Sequence, residues 1–271
     1  MNSCEKQRIV VKVGTSTLTH EGGRLNFKSL DTLAKVLSDI HNMGHQVILV
    51  TSGAIAVGAG KLKMKERPRE LCLKQAAAAV GQCELMHLYD KFFGEYGQTV
   101  AQILLTGDDM NTPQAKQNLQ NTFNSLLELS IIPIVNENDS VSYAEIEAHA
   151  NEHKIFGDND TLSAVVAVLC NADKLVLLSD IDGLYDDNPT ENPKAELISH
   201  VKKIDDELRM LAGGAGTKRG TGGMITKLQA AELAMSHGID MIIANGAKPE
   251  LLYGVIENRS VGTLFSSRQE V

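Results

Sequence analysis

The alternation of two apolar patterns along the chain constrains its fold more than any other feature. Short runs rich in Val, Ile and Leu recur, and most are followed by a segment whose apolar residues fall on one helical face. Continuous apolar runs are typical of strands covered on both faces, as in a parallel sheet. Strand–helix alternation of this kind favours a mostly parallel sheet with helices on both sides. The sequence therefore predicts an α/β fold, a three-layer α/β/α sandwich with an open, mostly parallel sheet.

The individual elements follow from the same patterns. Predicted strands cover residues 9–13, 47–50, 100–105, 131–135, 174–178 and 239–244. Predicted helices cover residues 30–40, 68–96, 114–129, 161–169, 225–237 and 249–256. The segment 182–193 accumulates Asp, Asn and Pro, which predicts a surface loop. With 271 residues, 43% of them hydrophobic, and no repeat or linker, we expect one domain over residues 1–271 rather than two small ones.

Composition excludes several classes of protein. The formal net charge is −8 and no dense run of Lys or Arg is present, so a nucleic-acid-binding surface is not expected. Cys4, Cys72, Cys83 and Cys170 are scattered, without a C-x-x-C pair, and the last three are predicted to be reduced and to pack as small hydrophobes. Without a signal peptide or a long apolar run, we expect a cytoplasmic protein that does not bind membranes.

Small and polar residues follow four of the predicted strands. These segments cover residues 14–17, 51–54, 136–139 and 179–180. In an open α/β sheet, ligands bind at the carboxyl ends of the strands. One such segment would be an ordinary turn, but four in the same topological position predict a binding site.

A glycine-rich segment, G-T-G-G-M-I-T-K, covers residues 220–227 and leads into a predicted helix. Glycine lets backbone N–H groups approach a ligand, and a helix N-terminus favours anions, so the segment suits a phosphate group. Lys227 would add a full positive charge. The alternative is an ordinary flexible loop that caps the helix. The third glycine of a dinucleotide fingerprint is missing, which disfavours a hydride-transfer enzyme, and no Walker A sequence or hydrolase motif is present.

Lys12 and the segment 157–161 are further candidates. A lysine inside an apolar strand is unfavourable unless its ammonium finds a partner, so Lys12 either reaches an anion at the strand end or extends to solvent. One interpretation of Asp160 is that it is the N-cap of the following helix. The alternative is that carboxylates here orient Lys12 and Lys227 or contact magnesium, while Asn159 holds a polar substrate. His149 and His153, spaced i and i+4, are interpreted as part of a solvated charged segment in preference to a metal site.

Together these segments resemble the amino acid kinase family. The motifs are V-V-K-V-G-T-S-T-L-T at 10–19, V-T-S-G-A-I-A-V-G at 50–58, N-E-N-D at 136–139, F-G-D-N-D at 156–160, L-S-D-I-D-G-L-Y at 178–185, G-T-G-G-M-I-T-K at 220–227 and G-T-L-F at 262–265. Within the family, the chain is most similar to the kinases that act on free L-glutamate. The resemblance implies ATP-dependent phosphorylation of the glutamate γ-carboxylate, with Mg²⁺ bridging the ATP phosphates.

The resemblance also implies roles for individual residues. The expected catalytic residues are Lys12, Asp160 and Lys227, with Asp160 holding both lysines. The expected glutamate-binding residues are Ser52, Gly53, Asp139 and Asn159. The expected nucleotide-binding residues are Lys12, Gly14, Thr15, Ser179, Asp180, Thr221, Gly222, Gly223, Met224, Ile225, Thr226 and Lys227.

Further expectations concern organisation and regulation. Residues 1–170 would form mainly the amino-acid side and residues 171–265 mainly the nucleotide side, and no PUA domain is expected. The resemblance implies proline as a feedback inhibitor at the glutamate site and a homo-oligomer, a dimer or a tetramer. The segment 140–157 is longer than expected. Aspartate or N-acetylglutamate remains an alternative substrate, and a non-catalytic nucleotide-binding regulator would be expected to lack Lys12, Asp160 or Lys227.

Overall fold

The computed structural model describes residues 6–20, 23–141, 158–189, 191–213 and 223–267. Its strands are β1 (Arg8–Val13), β2 (Gln46–Val50), β3 (Val100–Leu105), β4 (Ile132–Glu137), β5 (Lys174–Ser179), β6 (His200–Val201), β7 (Asp240–Asn245) and β8 (Thr263–Phe265). Its helices are α1 (Thr15–Leu18), α2 (Phe27–Asn42), α3 (Ala54–Lys61), α4 (Leu71–Glu95), α5 (Pro113–Glu128), α6 (Asn159–Leu169), α7 (Asp206–Gly213), α8 (Met224–Ser236) and α9 (Leu251–Ile256). The predicted strands and helices are all present, with ends shifted by a few residues.

The strands form one eight-stranded sheet in the order β3-β4-β2-β1-β5-β7-β8-β6. The pairs from β3 through β7 are parallel, as is the β6–β8 pair, whereas β7 and β8 pair antiparallel. The first strand of the chain, β1, lies in the middle, between β2 and β5. Because β1, β2, β4 and β5 are parallel, their carboxyl ends share one edge of the sheet.

A hydrophobic cluster lies on each face of this sheet. Alternate residues of β1 point to opposite sides, so that Val10 joins the cluster containing Leu162 of α6 and Leu228 of α8. Ile9 and Val11 join the other cluster, which also includes buried residues of α2, α4 and α9. Fully burying one such side chain is worth about 1.5–3 kcal/mol. Two cores around one sheet give the three-layer α/β/α sandwich that the sequence predicts.

The crossing of α3 and α4 is unusually close. A Cβ added at Gly81 would lie 1.8 Å from the carbonyl oxygen of Ala54, and one added at Gly58 would lie 1.8 Å from that of Ala77. The sequence does not predict α3, because its two glycines lower intrinsic helix propensity by about 1 kcal/mol each. Packing against α4 therefore stabilises α3, which begins directly after the end of β2.

The structure corrects other expectations. Cys72 and Cys83 are exposed on α4, so the prediction that they pack as small hydrophobes is wrong; Cys170 is buried as predicted. The elements α1, α7, β6 and β8 are too short or too weakly patterned to be predicted. Pro133 precedes the ladder between β4 and β2, which starts at Ile134, so its missing N–H leaves that ladder intact. No helix in the described ranges is long and apolar enough to cross a membrane.

Candidate active site

The strand ends and the N-termini of two helices meet at the carboxyl edge of the sheet. An ideal Cβ on Gly14, after β1, would lie 3.7 Å from Lys12 Nζ and 4.0 Å from the carbonyl oxygen of Leu178 in β5. The segments that follow β2 and β4 both contact α6, as described below. The convergence predicted from the strand list is therefore present in the fold.

Two lysines share one buried carboxylate at this edge. Lys12 Nζ, near the end of β1, lies 2.7 Å from Asp160 Oδ1, and Lys227 Nζ, in the first turn of α8, donates to Asp160 Oδ2 at 2.9 Å. The contact to Oδ1 is an ion pair outside hydrogen-bond geometry. The side chain of Asp160 is 2% exposed, and those of Lys12 and Lys227 are 12% and 9% exposed. Two ammonium groups on one carboxylate leave one net positive charge.

The surroundings of Asp160 keep its carboxylate ionised. Burial acts to raise the pKa of Asp160, but the charges of Lys12 and Lys227 outweigh burial, so the pKa lies below its usual value. Thr226 Oγ1 lies 2.8 Å from the carbonyl oxygen of Gly223 and 3.2 Å from Asp160 Oδ2, so these two acceptors compete for its single hydroxyl hydrogen. The start of α8 is thereby tied to the start of α6.

Asp158, and not Asp160, is the N-cap of α6. Its Oδ1 accepts from the backbone N–H groups of Asp160 at 2.7 Å and Thr161 at 3.0 Å, so the prediction that Asp160 caps the helix is wrong. Because Asp158 satisfies those N–H groups, the Asp160 side chain can turn to the lysines. Burial raises the pKa of Asp158, and the neighbouring charge of Asp160 acts in the same direction.

The side-chain amide of Asn159 joins α6 to the ends of β2 and β4. Its Nδ2 lies within hydrogen-bond distance of the Thr51 carbonyl oxygen (2.5 Å), Ser52 Oγ (2.9 Å) and Asn136 Oδ1 (2.9 Å). An amide nitrogen carries only two hydrogens, so three acceptors compete for them. No described residue donates to Asn159 Oδ1, which can therefore accept from a ligand.

Gly53 brings the predicted substrate and nucleotide residues together. It is the N-cap of α3 with φ +94°, a left-handed conformation that favours glycine. A Cβ there would lie 3.4 Å from Thr15 Cγ2, so the loop after β2 packs directly on the loop after β1. Ser52 and Asn159 lie on the same side through their hydrogen bond.

The remaining predicted residues lie at the start of α8, after β5 and after β4. Gly223 is the N-cap of α8 and has no side chain, so no side chain among the described residues caps the first N–H groups of this thirteen-residue helix, which include those of Met224 and Ile225. Ser179 Oγ donates to Asp180 Oδ1 at 3.1 Å. Asp139 lies two residues beyond the end of β4. Thr221, Gly222, His149 and His153 lie outside the described residues.

Sequence reasoning missed Gln82 and Tyr89, two buried polar residues of α4 that reach the same network. Gln82 Oε1 accepts from Asn136 Nδ2 at 2.9 Å, and the Tyr89 hydroxyl lies 2.7 Å from Thr51 Oγ1. A single glutamine after an alanine run is their only signal in the sequence.

A separate cavity of about 880 Å³ lies beside α3, and its lining includes His20, Arg24, Lys61 and Glu84. Its lining contains no predicted site residue. Convergent polar groups, rather than this concavity, therefore define the candidate site.

Metal ligands are sparse among the residues that the structure describes. No group of three or more His, Cys, Asp or Glu side chains there could hold a metal ion. Both oxygens of Asp160 face lysines.

The fold and the site define the class of the protein. The sequence model of the Amino acid kinase family matches residues 7–245. The chain belongs to the amino acid kinase family and is a kinase.

Curated relatives narrow this class. The chain is 54% identical over 265 residues to the glutamate 5-kinase of Clostridium perfringens, covering 98% of this chain and 97% of the relative. It is 53% identical over 270 residues to the glutamate 5-kinase of Clostridium acetobutylicum, covering 98% of each. It is 51% identical over 264 residues to that of Listeria innocua, covering 97% and 94%.

Solved structures share the fold at low sequence identity. The isopentenyl phosphate kinase of T. acidophilum matches with a TM-score of 0.66 at 18% identity, covering 95% of this chain and 99% of that one. The carbamate kinase of Giardia lamblia, bound to AMP-PNP, matches with a TM-score of 0.65 at 15% identity, covering 97% and 99%. These likenesses support the α/β/α architecture alone.

Proposed function

We propose that the chain transfers the γ-phosphoryl group of ATP to the γ-carboxylate of L-glutamate, giving γ-glutamyl phosphate and ADP, the first step of proline biosynthesis. The observation that carries the proposal is the pair of lysine ammonium groups held on Asp160 where the strand ends meet. The identity of more than 50% to glutamate 5-kinases over nearly the whole chain supports glutamate as the acceptor.

The chemistry suits a site without a general base. The side-chain carboxylate of glutamate has a reference pKa of about 4.3, so it is already a nucleophile at neutral pH. A carboxylate oxygen attacks the γ-phosphorus, and the bond from that phosphorus to the β–γ bridging oxygen breaks, leaving ADP. Catalysis of such a transfer depends on positioning and on neutralising charge at the moving group.

Lys12 and Lys227 provide that neutralisation. Each ammonium has three N–H donors, and the contact with Asp160 leaves at least two of them for a ligand. The other donors of each lysine are directed toward the transferring phosphoryl oxygens. Asp160 fixes the spacing of the two ammonium groups without cancelling their combined charge.

The two substrates occupy opposite sides of this trio. On the nucleotide side, the N–H groups at the start of α8 and the loop after β1 bind phosphates, with Ser179 and Asp180 nearby. On the acceptor side, glutamate lies against a group of residues from β2, β4 and α6, namely Ser52, Gly53, Asp139 and Asn159. Residues 1–170 thus form mainly the acceptor side and residues 171–265 mainly the nucleotide side.

The proposed reaction also implies a magnesium ion. When bound, Mg²⁺ would supply charge neutralisation to the ATP phosphates. The sparse carboxylates of the described site fit an ion that is held chiefly through phosphate oxygens and water.

Regulation and assembly follow from the same proposal. Proline carries an α-carboxylate and an ammonium as glutamate does, so it would compete for the acceptor side as a feedback inhibitor. We expect a cytoplasmic homo-oligomer, a dimer or a tetramer.

A hydroxylamine trap tests the proposed function. The chain is incubated with ATP, Mg²⁺ and hydroxylamine, and glutamate, aspartate or N-acetylglutamate is offered in turn. An acyl phosphate yields a coloured hydroxamate, and we expect it with glutamate. A signal with aspartate or N-acetylglutamate but not with glutamate would assign a different carboxylate kinase, and no signal with any of the three would favour a non-catalytic nucleotide binder.

A further inference from the structure

Two buried polar residues of α4 contact the residues that hold Asn159 in place on the acceptor side. Gln82 and Tyr89 are seven residues apart, two helical turns, and therefore share one face of α4. They are 8% and 1% exposed, and apolar residues such as Leu85 surround them on that face. Each contacts the end of a strand that in turn contacts Asn159.

The first connection runs from Gln82 through Asn136 to Asn159. A backbone carbonyl can only accept, so Asn159 must direct its Nδ2 toward Thr51 and, with it, toward Asn136 Oδ1. Asn136 must then direct its own Nδ2 away from Asn159, where Gln82 Oε1 accepts it at 2.9 Å. The orientation of each amide thus follows from that of its neighbour.

Gln82 leaves one of its own groups unused. Its Nε2 is buried, and no described residue accepts from it. A buried donor without a partner loses its hydrogen bonds to water and gains none in the protein, which lowers stability. A residue of similar shape without an amide would avoid that loss, so Gln82 contributes less to stability than to the orientation of Asn136.

The second connection runs from Tyr89 through Thr51 to Asn159. The Tyr89 hydroxyl and Thr51 Oγ1 lie 2.7 Å apart, and burial raises the pKa of Tyr89, which keeps the hydroxyl neutral. The Thr51 carbonyl oxygen, one residue before Ser52, accepts from Asn159 Nδ2. Tyr89 therefore fixes the strand end on which the Asn159 amide rests.

We infer that Gln82 and Tyr89 are positioning residues of the acceptor site, acting through Asn136 and Thr51 on the side-chain amide of Asn159. On the proposed function, the group that they position is Asn159 Oδ1, which is suited to accept a hydrogen bond from the α-ammonium of the amino acid. Neither residue touches the substrate.

Two conservative variants and one matched control test the inference. Tyr89→Phe removes a single oxygen, and Gln82→Met removes the amide while keeping the chain length. Tyr96→Phe is the control, because Tyr96 follows α4 directly as its C-cap but donates to Asp31 Oδ1 at 2.9 Å, outside the network. Melting temperatures establish that all three fold.

The expected result is selective for the acceptor. Loss of one hydrogen bond in the network should raise KM for glutamate roughly fivefold to tenfold in Tyr89→Phe and Gln82→Met, while KM for ATP stays within twofold of the unaltered chain. Tyr96→Phe should change neither constant. An equal rise of both KM values, or a KM for glutamate that matches the control, would overturn the inference.

A binding experiment tests whether Gln82 acts on glutamate binding through Asn159. The dissociation constant of glutamate is measured by calorimetry for Gln82→Met, Asn159→Ala and the double variant. If Gln82 acts through Asn159, the double variant should bind glutamate with the same dissociation constant as Asn159→Ala. If the two substitutions instead weaken binding independently, so that their fold-changes multiply, Gln82 does not act through Asn159. If the unaltered chain forms no glutamyl hydroxamate, the proposed function fails first, which separates that failure from a failure of this inference.

Discussion

Replacing Asp160 by asparagine is the sharpest test of the lysine–aspartate–lysine arrangement. Asparagine has nearly the same shape but removes the negative charge that two buried ammonium groups share. One side-chain oxygen remains to accept from a lysine, and an amide NH₂ now faces the other. Lys12 and Lys227 would then repel each other with no opposite charge between them.

The structure sets the size of the expected effect. At an effective dielectric constant of about 20, each ion pair at 2.7 or 2.9 Å corresponds to about 6 kcal/mol of attraction before desolvation is subtracted. Removing one partner of a buried pair typically costs about 3–5 kcal/mol. Because asparagine keeps one acceptor, we expect about 3 kcal/mol, which lowers Tm by on the order of 10 °C in a chain of this size.

The assay combines thermal unfolding with kinetics. Glu232→Gln is the control, because it breaks the pair between Arg209 and Glu232, whose side chains are 45% and 38% exposed; such a pair is worth about 0–1 kcal/mol. In Asp160→Asn we also expect kcat to fall at least 100-fold, because the ammonium groups lose their fixed spacing. A Tm within 2 °C of the control, together with kcat within tenfold of the unaltered chain, would refute the reasoning.

The pH dependence gives a second check on the same variant. Asp160 has a folded-state pKa below its ordinary value of 3.8, so its contribution is complete above that value and is lost as the pH falls through the lowered folded-state pKa. The difference in stability between the unaltered chain and Asp160→Asn should therefore be constant near neutral pH and shrink below about pH 4. A difference that grew on acidification would have the wrong sign.

Three further predictions concern other residues of the site and its scaffold. Lys227→Ala should lower kcat more than it raises KM for glutamate in steady-state kinetics, because its charge is needed most in the transition state; a rise in KM alone would assign it another role. Asp158→Asn keeps the N-cap oxygen and removes the buried charge of a carboxyl group whose pKa is raised. Chemical denaturation at pH 7 should therefore show that Asp158→Asn is as stable as the unaltered chain or more stable. Asp158→Ala, which lacks the N-cap oxygen, should lose about 1 kcal/mol of stability. Gly81→Ala should lower Tm strongly, because its Cβ would lie 1.8 Å from a carbonyl oxygen. Gly94→Ala, whose Cβ would meet nothing within 4 Å, should raise stability by up to about 1 kcal/mol. Equal effects of the two substitutions would contradict the close crossing of α3 and α4.

The sequence predicts the framework of the fold because its physical basis is local. The apolar runs of β2 and β5 are continuous, as burial on both faces requires, and α2 and α5 each show one apolar face. The same argument does not predict α3, because Gly58 and Gly60 weaken its local preference for a helix. Only packing against the backbone of α4 makes the helical conformation of α3 favourable. The antiparallel strand β8 is three residues long, too short for a pattern.

The lysine–aspartate–lysine arrangement could be anticipated for a reason of topology. Lys12 and Lys227 come from distant parts of the sequence, yet a parallel sheet brings strand ends and helix starts to one edge. The interpretation of Asp160 as the N-cap was wrong because moving the cap to Asp158 shifts the helix start by only two residues, and either carboxylate fits the pattern.

The sequence could not predict that Gln82 and Tyr89 support the acceptor side, because both residues lie within a helix and not at the end of a strand. Gln82 follows an alanine run in which periodicity identifies no clear apolar face, so its position gives no indication of what it contacts. Its partner Asn136 is 54 residues away and becomes a neighbour only because α3 and α4 pack through glycine. A strand-end residue can therefore be assigned to a site from topology alone, whereas a residue that orients it can be found only once the packing of the helices is known.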